Sequence, residues 1–439
     1  MKAQAKKHGW LRVTRAAGIA GAACALLACG SEGGAGETPV CEGEGVICAY
    51  LGNGESGLGH DGEAPLEVSL YLPMDLTFGP DAQPYVLDWN NHRVRTIRDD
   101  KVETIIGTGE LGDGQDGYGG EVSLNHPTHI AFDPEGRMLL SAWHNSKIMR
   151  WDPQTDMLTT LCGDGRREYG GDGGPADKAI LDLPVATALD HEGRMLIMDQ
   201  ANQRIRRVNL DNTIDTVVGP NKDFEPVPAG LVRKCSENAM GVEVCKLCTE
   251  KEQDDPMCAS RKPQGFAGDG GPGTEAAIYQ PFGQQAPPAG RMEMGPDDTL
   301  YFCDSGNHRI RALDAEGNVR TVAGSGPDHY DPSEPGGYDG DGGPATEAKL
   351  KQPTDVTVAE SGNLYIADTH NSCVRKVDGE GIITTVAGQC GKRGSDGNGG
   401  PADEALLNRP YGVALDEEGN LYIADTHNHV IRVVYGVEQ

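Results

Sequence analysis

Carboxylates and imidazoles recur along this chain at matched positions. Asp88, Asp199, Asp304, Asp368 and Asp425 each end a short apolar run. His92, His308 and His429 follow three of them at the same spacing. Such side chains can bind metal ions, move protons or orient polar ligands. Their repetition argues for a plainer role. An Asp at a strand end accepts backbone N–H bonds in its own turn, and a ligand site rarely needs one residue in every copy. The departures from the pattern are more informative. Ala142-Trp143-His144 stands where one copy should carry its Asp, and His126-Pro127-Thr128-His129 precedes it. Trp89 and Trp143 both follow the Asp position. Trp89, His129, Trp143 and His144 are therefore the candidate ligand-binding residues, an aromatic and imidazole-bearing sector. Asp339, Asp341 and Asp269 put oxygens on Gly-rich loops, a chemistry that suits calcium. Turn geometry explains the same loops, and no EF-hand spacing occurs, so no cofactor is expected. No G-x-S-x-G, H-E-x-x-H or P-loop motif is present, and no catalytic residue is assigned.

The elements around these residues repeat. Arg409 to Asp416, Leu421 to Asp425 and Val430 to Val434 read as three short strands separated by turns. The preceding copy adds a fourth, Ile382 to Gly388. Further copies run Pro84–Arg95, Met138–Met149, Met195–Arg206 and Leu300–Arg311, making six. Four antiparallel strands form a blade whose apolar faces are buried only by radial stacking. Gly171-Asp172-Gly173-Gly174-Pro175 and its relatives at 268, 340 and 397 mark the crossings between blades, with degenerate forms near Asp61 and Gly117. Pro344 to Leu350 and Pro401 to Leu407 are expected as short helices after a first-turn Pro.

The Asp-x-x-Asn-His-Arg-Ile-Arg pattern closely resembles the NHL repeat family over roughly residues 45–436. That resemblance implies an all-β, six-bladed β-propeller. The last copy lacks a fourth strand, while Val46 to Gly52 is an orphan strand of that type. Residues 45–52 are expected to complete the last blade and close the ring, removing two exposed edges.

Successive repeat Asp residues are 54, 57, 105, 64 and 57 apart, counting across the missing one, so an insertion is placed at 221–264. No strand–turn–strand repeat is read there. Its Cys235, Cys245, Cys248 and Cys258 suit two disulfides or a zinc site. Cys373 and Cys390 suit a bridge within one blade, Cys41 and Cys48 a second near the closing strand, and Cys162 and Cys303 plain burial.

Residues 1–28 read as a signal peptide: a basic start with Lys2, Lys6, Lys7, Arg12 and Arg15, then an apolar run ending Leu26-Leu27-Ala28. Cys29 follows directly and resembles a bacterial lipobox, which implies lipid attachment there. Residues 29–40 read as a flexible tether and 41–439 as the propeller. The expected location is the bacterial cell envelope, the outer membrane if the cell is Gram-negative. The membrane is met through the lipid alone.

The net charge is −29, and loss of residues 1–28 removes five positive charges. Nucleic acid is excluded as a partner by that sign. The expected function is a monomeric, non-catalytic binding or scaffold propeller whose partner is an envelope protein or glycan. The alternative is a metal-dependent propeller enzyme, lactonase- or lyase-like. That chemistry needs ligands converging on the axis from several inner strands, and His129 alone stands clearly at one.

Overall fold

The computed structural model describes residues 41, 43–219, 231–237, 243–249, 266–281, 286–326 and 337–438. The segment read as signal peptide and tether, Cys29 included, lies outside them. Among the described residues no helix is long and apolar enough to cross a membrane.

Six antiparallel sheets form the blades. The first strand in the chain, β1 (Val46–Leu51), does not join the strands that follow it. It pairs with Val430–Val434, with Ile47 opposite Val434 and Cys48 opposite Val433. Blade 1 then runs β2 (Pro73–Phe78), β3 (Pro84–Asp88), β4 (Arg93–Arg98) and β5 (Lys101–Ile106), each hydrogen-bonded to the next. Blades 2 to 5 repeat this order, with second strands ending at Ala142, Asp199, Asp304 and Asp368. Blade 6 consists of Gly412–Leu415, Leu421–Asp425, Val430–Val434 and β1, so the ring closes as expected.

The core lies between blades. Cys48, Leu51 and Ile431 of blade 6 pack against Leu76, Val86 and Val102 of blade 1. The closing strand is therefore held by side-chain burial as well as by its ladder. A Cys41–Cys48 disulfide pins the chain where it enters the ring, and Cys373–Cys390 bridges blade 5. Cys162 and Cys303 are free and buried.

Three expectations change. The helices expected after Pro344 and Pro401 are single 3-10 turns, Ala345–Glu347 and Ala402–Glu404, and the chain then extends so that Ala348 and Ala405 can enter the core. The Cys-rich insertion does contain a strand pair. Leu231–Glu237 and Glu243–Thr249 form a hairpin that joins no blade, with Cys235 opposite Cys245 in register. The side chains of Cys235, Cys245, Cys248 and Cys258 lie outside the described residues. Finally, that insertion is not the whole excess. The amide that bonds each repeat Asp comes from 17 residues earlier in the other blades but 25 earlier, at Tyr279, in blade 4. Eight extra residues thus enter the loop leading to the inner strand of blade 4.

The repeat Asp residues are fully buried. They do not cap their own turns. Each accepts the backbone N–H of Tyr71, Asp182, Tyr279, Lys351 or Asn408 at 2.7–2.8 Å. Each also accepts from the Asn three residues on, as Asp199 does from Asn202 at 2.8 Å. A buried Arg seven residues on completes the set, Arg206 standing 3.6 Å from Asp199. The same guanidinium reaches out to the crossing-loop Asp172 and the carbonyls of Gly170 and Ile180. Arg95, Arg311 and Arg375 do the same with Asp61, Asp269 and Asp341, and Arg432 reaches Asn398. The turn is thereby tied to the crossing by one charge with several partners.

Blade 2 has lost both halves of this clamp together, with Ala142 for the Asp and Met149 for the Arg. Asn145 Oδ1 takes over the amide of Asn125 at 3.1 Å. Joint loss is the route that leaves no buried charge unpaired.

Two outcomes are expected. Deleting residues 41–52 removes the buried Ile47, Cys48 and Leu51, and should lower the melting temperature by roughly 10 °C. Arg206→Met should cost about 3–5 kcal/mol in urea melts, because Asp199 stays buried without its cation. Asp199→Ala/Arg206→Met, which copies blade 2, should recover more than half of that loss. Additive losses would refute the clamp.

Candidate functional site

One face of the ring carries the loops between second and third strands together with the crossings between blades. Each of those loops is a 3-10 turn followed by a residue at positive φ: His92, Ser146, Gln203, His308, Ser372 and His429, with φ of 53–58°. Five of the six accept a backbone N–H from the next blade. His92 Nδ1 takes His126 at 3.2 Å, His308 Nδ1 takes Gln352 at 3.0 Å and His429 Nδ1 takes Leu72 at 3.1 Å. Gln203 and Ser372 do the same for Gln280 and Arg409. The histidines that mark the repeat are thus latches between blades. An accepting Nδ1 requires the neutral ring with its proton on Nε2. Burial, helped by Arg309 and Lys351, lowers the pKa of His308 to about 4.

The residue after each repeat Asp lies against the next blade. In blades 4, 5 and 6 it is Ser305, Thr369 or Thr426, and its hydroxyl donates to the carbonyl of Pro353, Pro410 or Pro73 of the next blade. In blade 3 it is Gln200, which donates to Pro281 and Pro287 in the enlarged blade 4 loop. In blades 1 and 2 it is Trp89 and Trp143. Trp143 is buried and donates to Gln200 Oε1 at 3.1 Å. Trp89 is part-buried, and its buried Nε1 has no acceptor among the described residues.

Trp89, Trp143 and His144 do meet, through His126. The ring of His126 lies 4.6 Å from Trp89, 4.4 Å from His92 and 5.1 Å from His144, and His144 stacks on Trp143 at 4.1 Å. Asn125 Oδ1 contacts Nδ1 of both His126 and His144. Burial holds both imidazoles down to about 4. His144 Nε2 is buried with no partner among the described residues. Neutral rings beside the buried indole N–H make this sector a place for neutral polar groups.

His129 belongs elsewhere. It stands opposite Ser141 on the inner strand of blade 2 and accepts the Thr187 amide of blade 3 at 3.4 Å. The same register position in the other blades holds Asp75, Ala186, Arg291, Asp355 and Gly412, thirteen residues before each repeat Asp or its Ala142 substitute. These six converge on the axis. Arg291 Nη1 reaches Asp75 at 3.1 Å and Asp355 at 3.2 Å, and Nη2 donates to Thr128 O at 2.6 Å. Gly412 leaves the room: a Cβ there would stand 2.8 Å from Arg291 Nη1. The expectation that His129 alone clearly stands on an inner strand at the axis is therefore corrected. Glu293, two residues beyond Arg291, accepts from Val358 N at 3.2 Å, and burial lifts its pKa to about 7. The constant spacing of thirteen was the available signal. It carries no common residue type, so the pattern of identities hides it.

Among the described residues no group of three or more His, Cys, Asp or Glu could hold a metal ion. The oxygens considered for calcium are engaged. Asp341 binds Arg375, Tyr338 and Thr385, and Asp269 binds Arg311 and Thr321.

A family model described as the Teneurin NHL domain matches residues 46–247 and 313–396, and an NHL repeat model matches 407–434. Teneurin-1 of Mus musculus is 24 % identical over 431 residues, covering 89 % of this chain and 13 % of its own length. NHL repeat-containing protein 2 of Bos taurus is 24 % identical over 356 residues, covering 80 % and 44 %. The chain thus spans less than half the length of these relatives. A solved structure from Bacteroides thetaiotaomicron, a structural genomics protein of unknown function, superposes with a TM-score of 0.55 at 17 % identity, covering 88 % of this chain and 74 % of that one. It shares the fold.

The latch has a measurable pH dependence. The unfolded chain takes up a proton at His308 below about pH 6.5, the folded chain only near 4, so this residue's contribution is lost as pH falls through that window. His308→Gln copies Gln203 and does not titrate. It should match the parent near pH 8 and exceed it by about 2 kcal/mol at pH 5, read by urea melts. Burial raises Asp88 and Asp368, which act in the opposite sense but equally in both proteins.

Proposed function

The chain belongs to the Teneurin NHL domain family, and we propose that it is a non-catalytic binding propeller tethered to the membrane of a bacterial cell envelope through lipid on Cys29. The basic start, apolar run and Leu-Leu-Ala-Cys ending of residues 1–29 support the tether. A lipid-modified Cys would attach the chain to the membrane. The partner is an envelope protein or a glycan, met by the loop-bearing face.

The observation that carries the binding role is the sector of blades 1 and 2. Four blades carry Gln200, Ser305, Thr369 or Thr426 at this position and bond the next blade through it, whereas these two carry Trp and gather three neutral imidazoles behind it. Trp89 Nε1 and His144 Nε2 are buried there without a partner among the described residues. Aromatic and neutral imidazole rings suit hydroxyl-rich or amide ligands.

A metal-dependent enzyme is the second reading. Asp75, His129, Asp355 and Glu293 on inner strands are the residue types it would use, although among the described residues no three such groups gather closely enough to hold a metal ion. Against it, Arg291 already occupies the space between the two Asp carboxylates.

Affinity capture from the native envelope with the full chain tests the first reading. Trp89→Ala/His144→Ala should reduce recovery of the partner at least tenfold in protein that stays folded, with a lowered melting temperature because Trp89 packs against the core. Undiminished capture by that variant would remove the sector from the function. Metal analysis of the purified protein, with Asp75→Asn as control, addresses the second. Stoichiometric metal that the control loses would favour the enzyme.

A further inference from the structure

The crossing loop of blade 2 differs from the others in one respect that points to a ligand. In blades 1, 3, 4 and 5 the crossing-loop Asp receives the guanidinium of its own blade's Arg, at 2.5–3.2 Å. In blades 3, 4 and 5 an aromatic ring from the same loop lies over that guanidinium, with Tyr169, Phe266 and Tyr338 at 5.2, 4.9 and 5.0 Å. The fold therefore recognises a guanidinium four times with a carboxylate, and three times with a ring as well.

Blade 2 keeps the carboxylate and loses the guanidinium; the ring position three residues before the Asp holds Asp113, and the aromatic ring of this loop is instead Tyr118, two residues after it. Asp116 Oδ1 still accepts the amide and hydroxyl of Thr160, both at 2.8 Å, as Asp172 does from Thr216. The Arg position is Met149, which turns into the core. Asp116 makes no ion pair among the described residues, and its second oxygen faces no donor there. A cavity of about 400 Å³ opens at this point, lined by Asp113, Asp116, Tyr118 and Glu121. Tyr118 is 54 % exposed. The loop carbonyls have found other donors: Gly114 O takes Lys147 Nζ at 3.1 Å, and Ser123 O takes the Gly114 amide at 3.0 Å. Three carboxylates and a ring remain for a cation from outside.

We propose that this loop is a receptor for an arginine side chain presented by a protein partner. The guanidinium takes the free oxygen of Asp116, Asp113 and Glu121 flank it, and the Tyr118 ring stacks on its face. The planar, delocalised cation fits a carboxylate beside an aromatic ring better than an ammonium does. The acidic surface of the whole chain draws such a partner in. The inference deepens the binding reading by naming the partner's chemistry at one point on its binding face.

The test titrates N-acetyl-arginine amide into the full chain and follows backbone amide shifts of residues 112–124. The lysine analogue and calcium chloride serve as comparators. Saturable shifts in the millimolar range are expected, at least fivefold weaker for the lysine analogue and absent for calcium. Asp116→Asn should weaken binding at least tenfold. Ala142→Asp/Met149→Arg, which writes the internal clamp back into blade 2, should abolish it. Should that pair fail to fold, Asp116→Asn decides alone, since its carboxylate is exposed. No saturable shift, equal response to lysine or calcium, or binding undiminished in Asp116→Asn would overturn the proposal. Envelope capture that survives Asp116→Asn would leave the binding propeller standing and this site refuted.

Discussion

The ring depends on one buried cation per blade. In five blades a guanidinium with no solvent exposure to speak of sits between the turn that ends its own second strand and the crossing that enters the blade. Taking such a charge out of water costs several kcal/mol, and only a full set of partners offsets it. The partners come from both places at once: a repeat Asp, a crossing-loop Asp or Asn, and carbonyls of the crossing. Neither the turn nor the crossing can move without uncovering the charge. This is why irregular, Gly-rich loops hold the regular geometry that lets flat blades stack.

The clamp also accounts for the distribution of polar function over the molecule. Where it is intact, the Asp, Asn and Arg are buried and spend their bonds chiefly on one another and on the crossing. The histidines of the repeat are consumed too, since their Nδ1 atoms latch one blade to the next. Chemistry is left only where the pattern lapses. Blade 2 has no clamp, a Trp after the lost Asp and an unshared carboxylate in its crossing, and blade 1 contributes the neighbouring Trp89. Inside the ring, Arg291 does for Asp75 and Asp355 what each blade's Arg does for its own Asp: it neutralises carboxylates that would otherwise oppose one another across the axis.

Much of this was legible before any coordinates. Strand order, the six copies, the closing strand and two disulfides follow from short spacings that a local pattern preserves. The joint loss at Ala142 and Met149 was equally visible as two positions of one repeat. The roles were harder to read. An Asp at a strand end was expected to cap its own turn, but its donors are an amide 17 residues back and an Arg on the next strand. His129 was grouped with Trp143 and His144 because they are near in sequence. The alternation of a strand sends His129 to the axis instead, while the turn carries His144 to the rim.

Sequence by itself determined which residues belong to the scaffold, because repetition at constant spacing is a statement about local backbone geometry, and local geometry is written residue by residue. It also determined where the scaffold is interrupted. Tertiary structure alone decided which interruptions meet. The axial ring joins Asp75, His129, Arg291 and Asp355 from four blades. Their identities share no type, and radial closure is what brings them within reach. The repeated Asp and His residues are the bonds that make that closure possible.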